Sequence, residues 1–295
     1  MNRYKSLAWY FFCKYFLKFL SDRIFVKVAL FIHSLRFNFK YKLDLKNPKL
    51  FHEKITFLKL FFRKPEHLIL ADKSKVRAFV EDKIGKSFLV NSIGEYDDPN
   101  KINFELLPNQ FVIKTTHGSG WNIIVRDKKK IDIGRIKSTL NTWLKMDPYY
   151  LSREWHYSKE PKLIIENYIG ESINDYKLYC FEGKVRFIQV DSDRFSEHKR
   201  CFFDKKWNIQ EFNILYGKPE KKVKKPKMLN KMIELSEKLA EDIFFCRVDM
   251  YFYDDKIFFG EITFHPEGGN CVISPPSMDY RLSDYIDLGK IKSSL

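Results

Sequence analysis

Two carboxylates near the C-terminal end of the chain have a spacing that could place them together around a cation. Asp249 and Glu261 are twelve positions apart, each near the end of an apolar run, with a polar turn at 253–256 between the runs. This pattern predicts two antiparallel strands joined by a hairpin, and the even separation can place both side chains on one face. Carboxylates that meet on a buried face repel each other unless a cation lies between them. With Arg247 just before them, the stretch favours a metal–phosphate site, and a solvated hairpin face is the alternative.

A second candidate site is a lysine at a strand end followed by a glycine-rich turn. Lys114 ends the apolar run 111–114, and Gly118, Ser119 and Gly120 follow shortly after it. Glycines let backbone N–H groups approach phosphate oxygens, and lysine adds a point charge. The segment is not a Walker P-loop, because no GK[ST] follows and the next element has the pattern of a strand. An ordinary hairpin turn is the alternative.

Further charged residues fall on predicted strands, a helix and a loop. The alternating hairpin at 175–190 places Asp175 and Lys177 on one face. Other basic side chains could contact an anionic acceptor, or be solvated surface instead: Lys73 and Arg77 on a predicted helix, and Arg194, His198 and Arg200 in the charged loop 191–200.

The chain has 295 residues, which is long enough for one large domain or for two to three lobes that position these side chains. With 53 basic and 38 acidic residues the net charge is +15, which favours an anionic partner such as membrane lipid, nucleic acid, a nucleotide or an acidic glycan. The five cysteines show no CxxC spacing, which favours reduced core thiols of a cytosolic protein over a disulfide or zinc framework.

The N-terminal segment 1–45 is dense in aromatic residues and lysine. Two apolar stripes recur there at helical spacing, and basic residues interrupt every apolar run before ~18 residues, so no membrane span is predicted. A secretory signal is also not expected. The segment is either a basic amphipathic anchor on the inner membrane surface or a pair of helices packed on the main body.

The order of these features resembles the ATP-grasp superfamily. Along the chain come the lysine with its glycine-rich loop, a strand–Glu–turn at 163–170, Asp-x-Lys, Arg-x-Asp and the segment FGEITFHPEG at 259–268. More closely, residues 47–284 are similar to the TupA-like ATP-grasp family of bacterial cell-surface polysaccharide loci. The segments LPNQFVIK at 107–114, HGSGWN at 117–122 and VDSDRF at 190–195 carry this closer resemblance.

The resemblance implies an α+β ATP-grasp fold in which two lobes with antiparallel sheets sandwich ATP, with an added N-terminal helical segment. The boundaries expected are a helical segment at 1–45, an N-terminal lobe at 46–110, a small ATP-grasp lobe with the glycine-rich loop at 111–165, and a C-terminal ATP-grasp lobe at 166–295.

The resemblance also implies a role for each matching site residue. Those expected to bind ATP are Lys114, His117, Gly118, Ser119, Gly120 and Lys177 at the phosphates, Glu166, Asn167 and Tyr168 at adenine, and Glu171 at ribose. The expected Mg²⁺ ligands are Asp249, Glu261 and Thr263. The expected catalytic cations are Arg247, which stabilises the transferred phosphoryl group, and Lys177. Thr263 departs from the superfamily pattern, which usually has Asn there, and a hydroxyl is the weaker oxygen donor.

The implied activity is that of an ATP- and Mg²⁺-dependent carboxylate–amine ligase that forms an acyl phosphate. The acceptor implied is an acidic glycan, free or lipid-linked, and the nucleophile is an amino acid or amine. The expected location is the cytoplasm, either free or peripheral on the inner face of the plasma membrane. Nucleic acid is not the expected partner. A glycosyltransferase is the main alternative, because residues 191–193 look like a DxD motif, but antiparallel hairpins surround that motif where a βαβ unit would be expected. A non-enzymatic basic module that binds membrane or nucleic acid is a third interpretation.

Overall fold

The computed structural model describes residues 3–37, 43–157, 159–171, 173–192, 199–219, 222–270 and 273–292. The helices of this part of the chain are α1 (Arg3–Phe16), α2 (Asp22–Phe37), α3 (Phe51–Phe61), α4 (His67–Leu70), α5 (Val76–Ile84), α6 (Ile133–Leu144), α7 (Tyr149–Ser152), α8 (Leu229–Leu239), α9 (Pro276–Ser283) and α10 (Gly289–Lys292). Its strands are β1 (Ser92–Tyr96), β2 (Phe111–Thr115), β3 (Asn122–Val125), β4 (Leu163–Asn167), β5 (Asn174–Phe181), β6 (Lys184–Ser192), β7 (Lys199–Phe203), β8 (Asn213–Ile214), β9 (Phe245–Tyr253), β10 (Lys256–Thr263) and β11 (Ile273–Ser274).

Two antiparallel sheets form the framework. The small sheet has the strand order β1-β4-β2-β3, and the large sheet has the order β10-β9-β5-β6-β7. Strands β8 and β11 pair separately. The α+β class with antiparallel sheets, predicted from the sequence, is confirmed.

The two faces of the large sheet differ because side chains alternate along each strand. One face is apolar and packs on α5 and α8, with Leu178 and Val248 buried against Leu235. The other face is divided: its aromatic half, with Phe181 and Phe245, packs on α3. Its other half carries the charged side chains described below.

The small sheet packs on α6 and contributes a separate apolar core that includes Phe111, Ile113, Ile165 and Leu140. The predicted lobe at 46–110 is not gathered into one unit. Helix α3 packs below the large sheet, α5 packs above it, and β1 pairs with β4 in the small sheet. The structure therefore corrects that boundary, because these short segments bury their apolar faces on sheets formed later in the chain.

Helices α1 and α2 pack against the body through one face. Tyr10, Cys13, Phe25 and Val26 are buried there, the last three with Leu60 of α3. Cys13, Cys180, Cys201 and Cys246 are free and buried, as expected for core thiols, and Cys271 lies outside the described residues. Among the described residues, none of the helices combines the length and the hydropathy needed to cross a bilayer.

Candidate functional site

A row of charged side chains crosses the polar half of the large sheet. Lys177 and Asp249 lie opposite each other on β5 and β9, and Lys177 Nζ donates to Asp249 Oδ2 at 2.6 Å and to Asp175 Oδ2. Arg247 donates to the same Asp249 carboxylate from Nε to Oδ1 at 2.6 Å and from Nη2 to Oδ2 at 2.8 Å. All four side chains are buried. The structure thus gathers the two predicted catalytic cations around one predicted metal ligand.

The electrostatics of this row follow from burial and from pairing. Burial raises the pKa of the Asp249 carboxyl above its ordinary value, and the neighbouring Arg247 and Lys177 charges oppose that rise. Burial disfavours the charged form of Arg247, but Asp249, Tyr179 and Glu261 together outweigh this, so the pKa of Arg247 lies above its ordinary value. The guanidinium therefore keeps its charge and can stabilise negative charge that enters the site.

Glu261 reaches the same face as Asp249 because β10 contains a bulge. Phe259 pairs with Met250, whereas Glu261 pairs with Asp249, so Gly260 is the extra residue. Without the bulge, strand alternation would direct Glu261 toward the opposite, apolar face. A Cβ on Gly260 would lie 3.0 Å from the backbone oxygen of Asp249, which explains a glycine there. The shared face predicted from the even spacing is confirmed, but the bulge is its cause.

The predicted metal ligands form a set of oxygen donors. Thr263 Oγ1 lies 3.5 Å from Glu261 Oε1 and accepts a hydrogen bond from Arg247 Nη2 at 3.1 Å. The Glu261 side chain is 29% exposed, and both oxygens of Asp249 already accept hydrogen bonds from cations. Two carboxylates and a hydroxyl are hard oxygen ligands of the kind that Mg²⁺ prefers. The residues fit this ion, with Glu261 as the more accessible ligand.

Lys177 and Arg247 of this row, together with Glu261 and Thr263, line a cavity of about 420 Å³ that also takes in the glycine-rich loop. Lys73 Nζ donates to the carbonyl oxygen of Gly118 at 2.9 Å and lies 3.5 Å from Glu261 Oε2. The positive φ angles of Gly118 (75°) and Gly120 (73°) give the loop its turn. Lys73, predicted to contact the acceptor, thus connects the loop to a predicted metal ligand.

The structure corrects the prediction that the His117 side chain contacts the nucleotide. Its imidazole is buried, lies edge-on to Trp121, and has Nε2 within 2.9 Å of the carbonyl oxygen of Met146. Burial lowers the pKa of His117. The neutral His117 ring is held within the core next to the glycine-rich loop and does not line the cavity.

Lys114 and Arg77 meet at Glu166 on the small sheet. Lys114 Nζ lies 2.5 Å from Glu166 Oε2, and Arg77 Nη1 donates to Glu166 Oε1 at 3.0 Å. Arg77 also donates to the carbonyl oxygen of Val90. Arg77, predicted to contact an acceptor, and the Glu166 carboxylate, predicted to contact adenine, are therefore engaged with each other.

The remaining residues predicted to contact adenine and ribose lie elsewhere. Asn167 and Tyr168 line a second cavity of about 410 Å³ at the end of β4. Glu171 is exposed and lies 2.9 Å from Arg126. The main cavity thus gathers part of the predicted phosphate and metal set, because Lys114, His117 and Asp249 do not line it. The adenine candidates Asn167 and Tyr168 lie at the other cavity.

A cluster of two histidines and a glutamate in the main cavity was missed by the sequence analysis. Glu154, His156 and His265 are buried, and they offer potential ligand atoms that lie within 4.8 Å of one another. Glu154 Oε1 is 3.9 Å from His156 Nε2 and 3.7 Å from His265 Nδ1, and Glu154 Oε2 accepts from Ser152. The two histidines are separated by about 110 positions, so only the fold brings them together.

Both imidazoles of this cluster are neutral at physiological pH. Burial is the main cause: it lowers the pKa of His156 to about 3 and holds the pKa of His265 well below its ordinary value. Positive charge on Lys59 acts in the same direction on both rings. Neutral imidazole nitrogens beside a carboxylate can accept hydrogen bonds from a cationic donor.

Arg200 is the described member of the basic loop predicted to contact an acceptor. It is buried, binds Asp191 through Nε at 2.6 Å and Nη2 at 3.1 Å, and reaches Glu267 Oε1 at 2.9 Å. It still lines the main cavity. Arg194 and His198 lie outside the described residues.

A model of the family described as TupA-like ATPgrasp matches residues 53–287, which include the whole charged row. No curated protein matches the sequence. Among solved structures, the chain is similar to D-alanine–D-alanine ligase from Bacillus anthracis complexed with ATP, at 18% identity and a TM-score of 0.40, over 66% of this chain and 54% of that one.

Two further solved structures show similarity of the same order. N5-carboxyaminoimidazole synthetase from Staphylococcus aureus is 13% identical, with a TM-score of 0.41, over 67% of this chain and 45% of that one. D-alanine–D-alanine ligase from Helicobacter pylori is 16% identical, with a TM-score of 0.44, over 83% of this chain and 69% of that one. The chain spans about half the length of the first two of these structures.

Proposed function

Because the chain belongs to the TupA-like ATP-grasp family, we propose that it is an ATP- and Mg²⁺-dependent carboxylate–amine ligase. The observation that carries the proposal is that Lys177, Arg247 and Glu261 line one cavity with the glycine-rich loop, while the buried Asp249 pairs with both of these cations. Phosphoryl transfer depends mainly on positioning and charge neutralisation, and this row provides both.

The roles of the chain's own residues follow from their positions. Lys177 and Arg247 place two buried positive charges where phosphate oxygens enter the cavity, and Gly118 leaves the backbone of the loop close to the same space. Glu261, Asp249 and Thr263 would hold Mg²⁺, which would supply further charge neutralisation for the phosphates. Arg247 then stabilises the charge on the transferred phosphoryl group.

The proposed reaction has two steps. A carboxylate oxygen of the acceptor attacks the γ-phosphorus of ATP, and the bond from that phosphorus to the β–γ bridging oxygen breaks. ADP departs, and the acceptor becomes an acyl phosphate. The nitrogen of an amine then attacks the acyl carbon, inorganic phosphate leaves, and the nitrogen loses a proton to give an amide. The walls of the cavity shield the acyl phosphate from water.

The cluster of Glu154, His156 and His265 is suited to receive the amine. A carboxylate with two neutral imidazoles nearby can accept several N–H hydrogen bonds from a primary amine or ammonium group. The positive charge of Lys59 nearby disfavours a divalent cation at this place more than it disfavours a singly charged ammonium. We therefore assign the amine, such as that of an amino acid, to this side of the cavity.

The proposed acceptor is an acidic glycan, free or lipid-linked, from the assembly of a bacterial surface polysaccharide. The net charge of +15 supports an anionic acceptor, and the buried Arg200 at the cavity is a cation that its carboxylate could approach.

Calorimetry with two nucleotides tests the nucleotide assignment. We expect MgATP to bind and Mg-UDP-glucose not to bind, and binding of the UDP-sugar alone would favour a glycosyltransferase and overturn the ligase proposal. A second assay supplies ATP, a uronic acid and hydroxylamine, which intercepts acyl phosphates as hydroxamates. Hydroxamate and ADP are expected together, and replacing Arg247 by alanine should abolish both.

A further inference from the structure

Helices α1 and α2 carry apolar side chains on two faces. Their inner face is used by packing on the body, with Tyr10, Cys13, Phe25 and Val26 buried. A helix on the surface of a soluble domain normally has a polar outer face. Here the outer face is also apolar, so packing on the body does not account for the apolar stripes predicted from the sequence.

The outer face of the two helices and their connection exposes nine large apolar side chains. Their exposed fractions run from 37% to 81%, and they are Phe11, Phe12, Tyr15, Phe16, Phe19, Ile24, Phe31, Ile32 and Leu35. On α1 they stack in pairs, with ring centroids 6.1 Å apart for Phe11 and Tyr15 and 5.5 Å apart for Phe12 and Phe16. Single exposed apolar residues are common, but a stacked set of this size marks an interaction surface.

The charge of the same segment is strongly positive. Residues 3–37 contain seven basic side chains and one acidic side chain, Asp22. Asp22 is already engaged, because it accepts hydrogen bonds from Arg63 at 3.0 Å and from Tyr149. Lys18 is exposed and lies 4.9 Å from the ring centroid of Phe19, so that a cation stands beside the most exposed aromatic ring. Long basic side chains beside apolar ones suit an interface between hydrocarbon and negatively charged headgroups.

We infer that the outer face of α1 and α2 is a docking surface for an anionic lipid bilayer, which it enters from one side without crossing. The helices have 14 and 16 residues and are too short to span the hydrocarbon layer. Their aromatic side chains enter the boundary between headgroups and acyl chains, and the exposed Lys18 and Lys27 face the headgroups. A second protein chain would not need this excess of positive charge among the apolar side chains.

This surface is tied directly to the wall of the candidate active site. Arg153 donates from Nη2 to the carbonyl oxygen of Leu17 at 2.9 Å, its Nε lies 3.4 Å from Asp22 Oδ1, and its guanidinium lies 4.0 Å from the ring centroid of Phe25. The next residue along the chain is Glu154, which lines the cavity. Docking of α1 and α2 therefore holds the cavity close to the membrane, where a lipid-linked acceptor would be presented.

Vesicle flotation of the full chain tests the inference. We expect binding to vesicles that contain phosphatidylglycerol, weaker binding to pure phosphatidylcholine vesicles, and a loss of binding as salt rises. Replacing Phe16, Phe19 and Phe31 together by serine should reduce the partition coefficient by about a hundredfold, because three exposed aromatic rings are no longer buried.

The matched control replaces Leu106, Ile209 and Tyr280 by serine, since these side chains are 56% to 82% exposed at other places on the surface. The control should bind vesicles as the parent does. Equal binding to neutral vesicles, or equal loss in both variants, contradicts the inference. If the parent does not bind vesicles but forms a dimer, and the aromatic variant does not form that dimer, the surface binds a second copy of the chain instead. The assay contains no nucleotide, so its outcome is separate from that of the proposed ligase reaction.

Discussion

Replacing Lys177 by methionine tests whether opposite charges hold the row in the large sheet together. Methionine keeps an unbranched, flexible side chain and removes the positive charge between Asp175 and Asp249. Lys177 is only 5% exposed, so water has little room to solvate the carboxylates in its place. The substitution therefore leaves two buried carboxylates next to each other with one shared cation fewer.

The expected cost follows from the partners that remain. Removing one member of a buried ion pair typically costs about 3–5 kcal/mol. Arg247 still donates two hydrogen bonds to Asp249, so we expect the lower end of this range, about 3 kcal/mol of unfolding free energy at pH 7.5.

The cost should depend on pH in a definite direction. The pKa of Asp249 is already raised by burial, and Lys177 is one of the two charges that oppose the rise. Without Lys177, the Asp249 carboxyl binds its proton more tightly in the folded protein than in the unfolded chain. Protonation at low pH then relieves the repulsion, and stability is lost as the pH rises through the raised pKa. The destabilisation at pH 5 should be smaller than at pH 7.5.

Urea unfolding at both pH values measures this effect. The control is Lys290→Met, which removes an exposed pair with Glu182 at 2.6 Å and should cost about 0–1 kcal/mol at either pH. If Lys177→Met costs no more than the control, or costs the same at both pH values, charge pairing does not hold the row together.

Three other substitutions probe the site. Gly260→Ala places a Cβ 3.0 Å from the backbone oxygen of Asp249 and should lower the unfolding free energy by about 1–3 kcal/mol and reduce ATP turnover; an unchanged turnover would show that the bulge does not position Glu261. Glu154→Gln should raise the KM for the amine and leave the KM for ATP unchanged, and an equal rise in both constants argues against an amine site. Gly118→Ala forces a Cβ to 2.8 Å from the Trp121 ring at a φ of 75°, so nucleotide affinity measured by calorimetry should fall, and an unaltered affinity would separate the loop from the nucleotide.

The parts of the site that depend on local pattern were predictable. Alternation along a strand is a local property, so the sequence places Asp175 and Lys177 on one face, and Arg247 with Asp249 on one face of another strand. The hairpins at 175–190 and 249–261 follow from the same rule. The pairing of these two strands, which joins the residues into one row, does not follow from the pattern of either strand alone.

The parts that depend on register or on distant packing were not predictable. The bulge at Gly260 depends on how the whole of β10 pairs with β9. Until that register is known, a separation of twelve positions can place Glu261 on the same face as Asp249 or on the opposite face. The wall formed by Glu154 and His265 joins segments far apart in sequence, and neither has a periodic pattern of its own. The motif shows that His117 is next to the glycine-rich loop, but it does not show the direction of the side chain. In the structure the ring packs inward against Trp121.

The contact made by Arg153 has a consequence for the modularity of the protein. The family match begins at residue 53, so α1 and α2 lie before the part of the chain shared with the family. Yet a buried arginine with a left-handed backbone (φ 59°) depends on Leu17, Asp22 and Phe25 for its partners. A shortened chain without these helices would leave that guanidinium uncovered one residue before Glu154. The segment matched by the family and the segment needed to cover Arg153 are therefore different units.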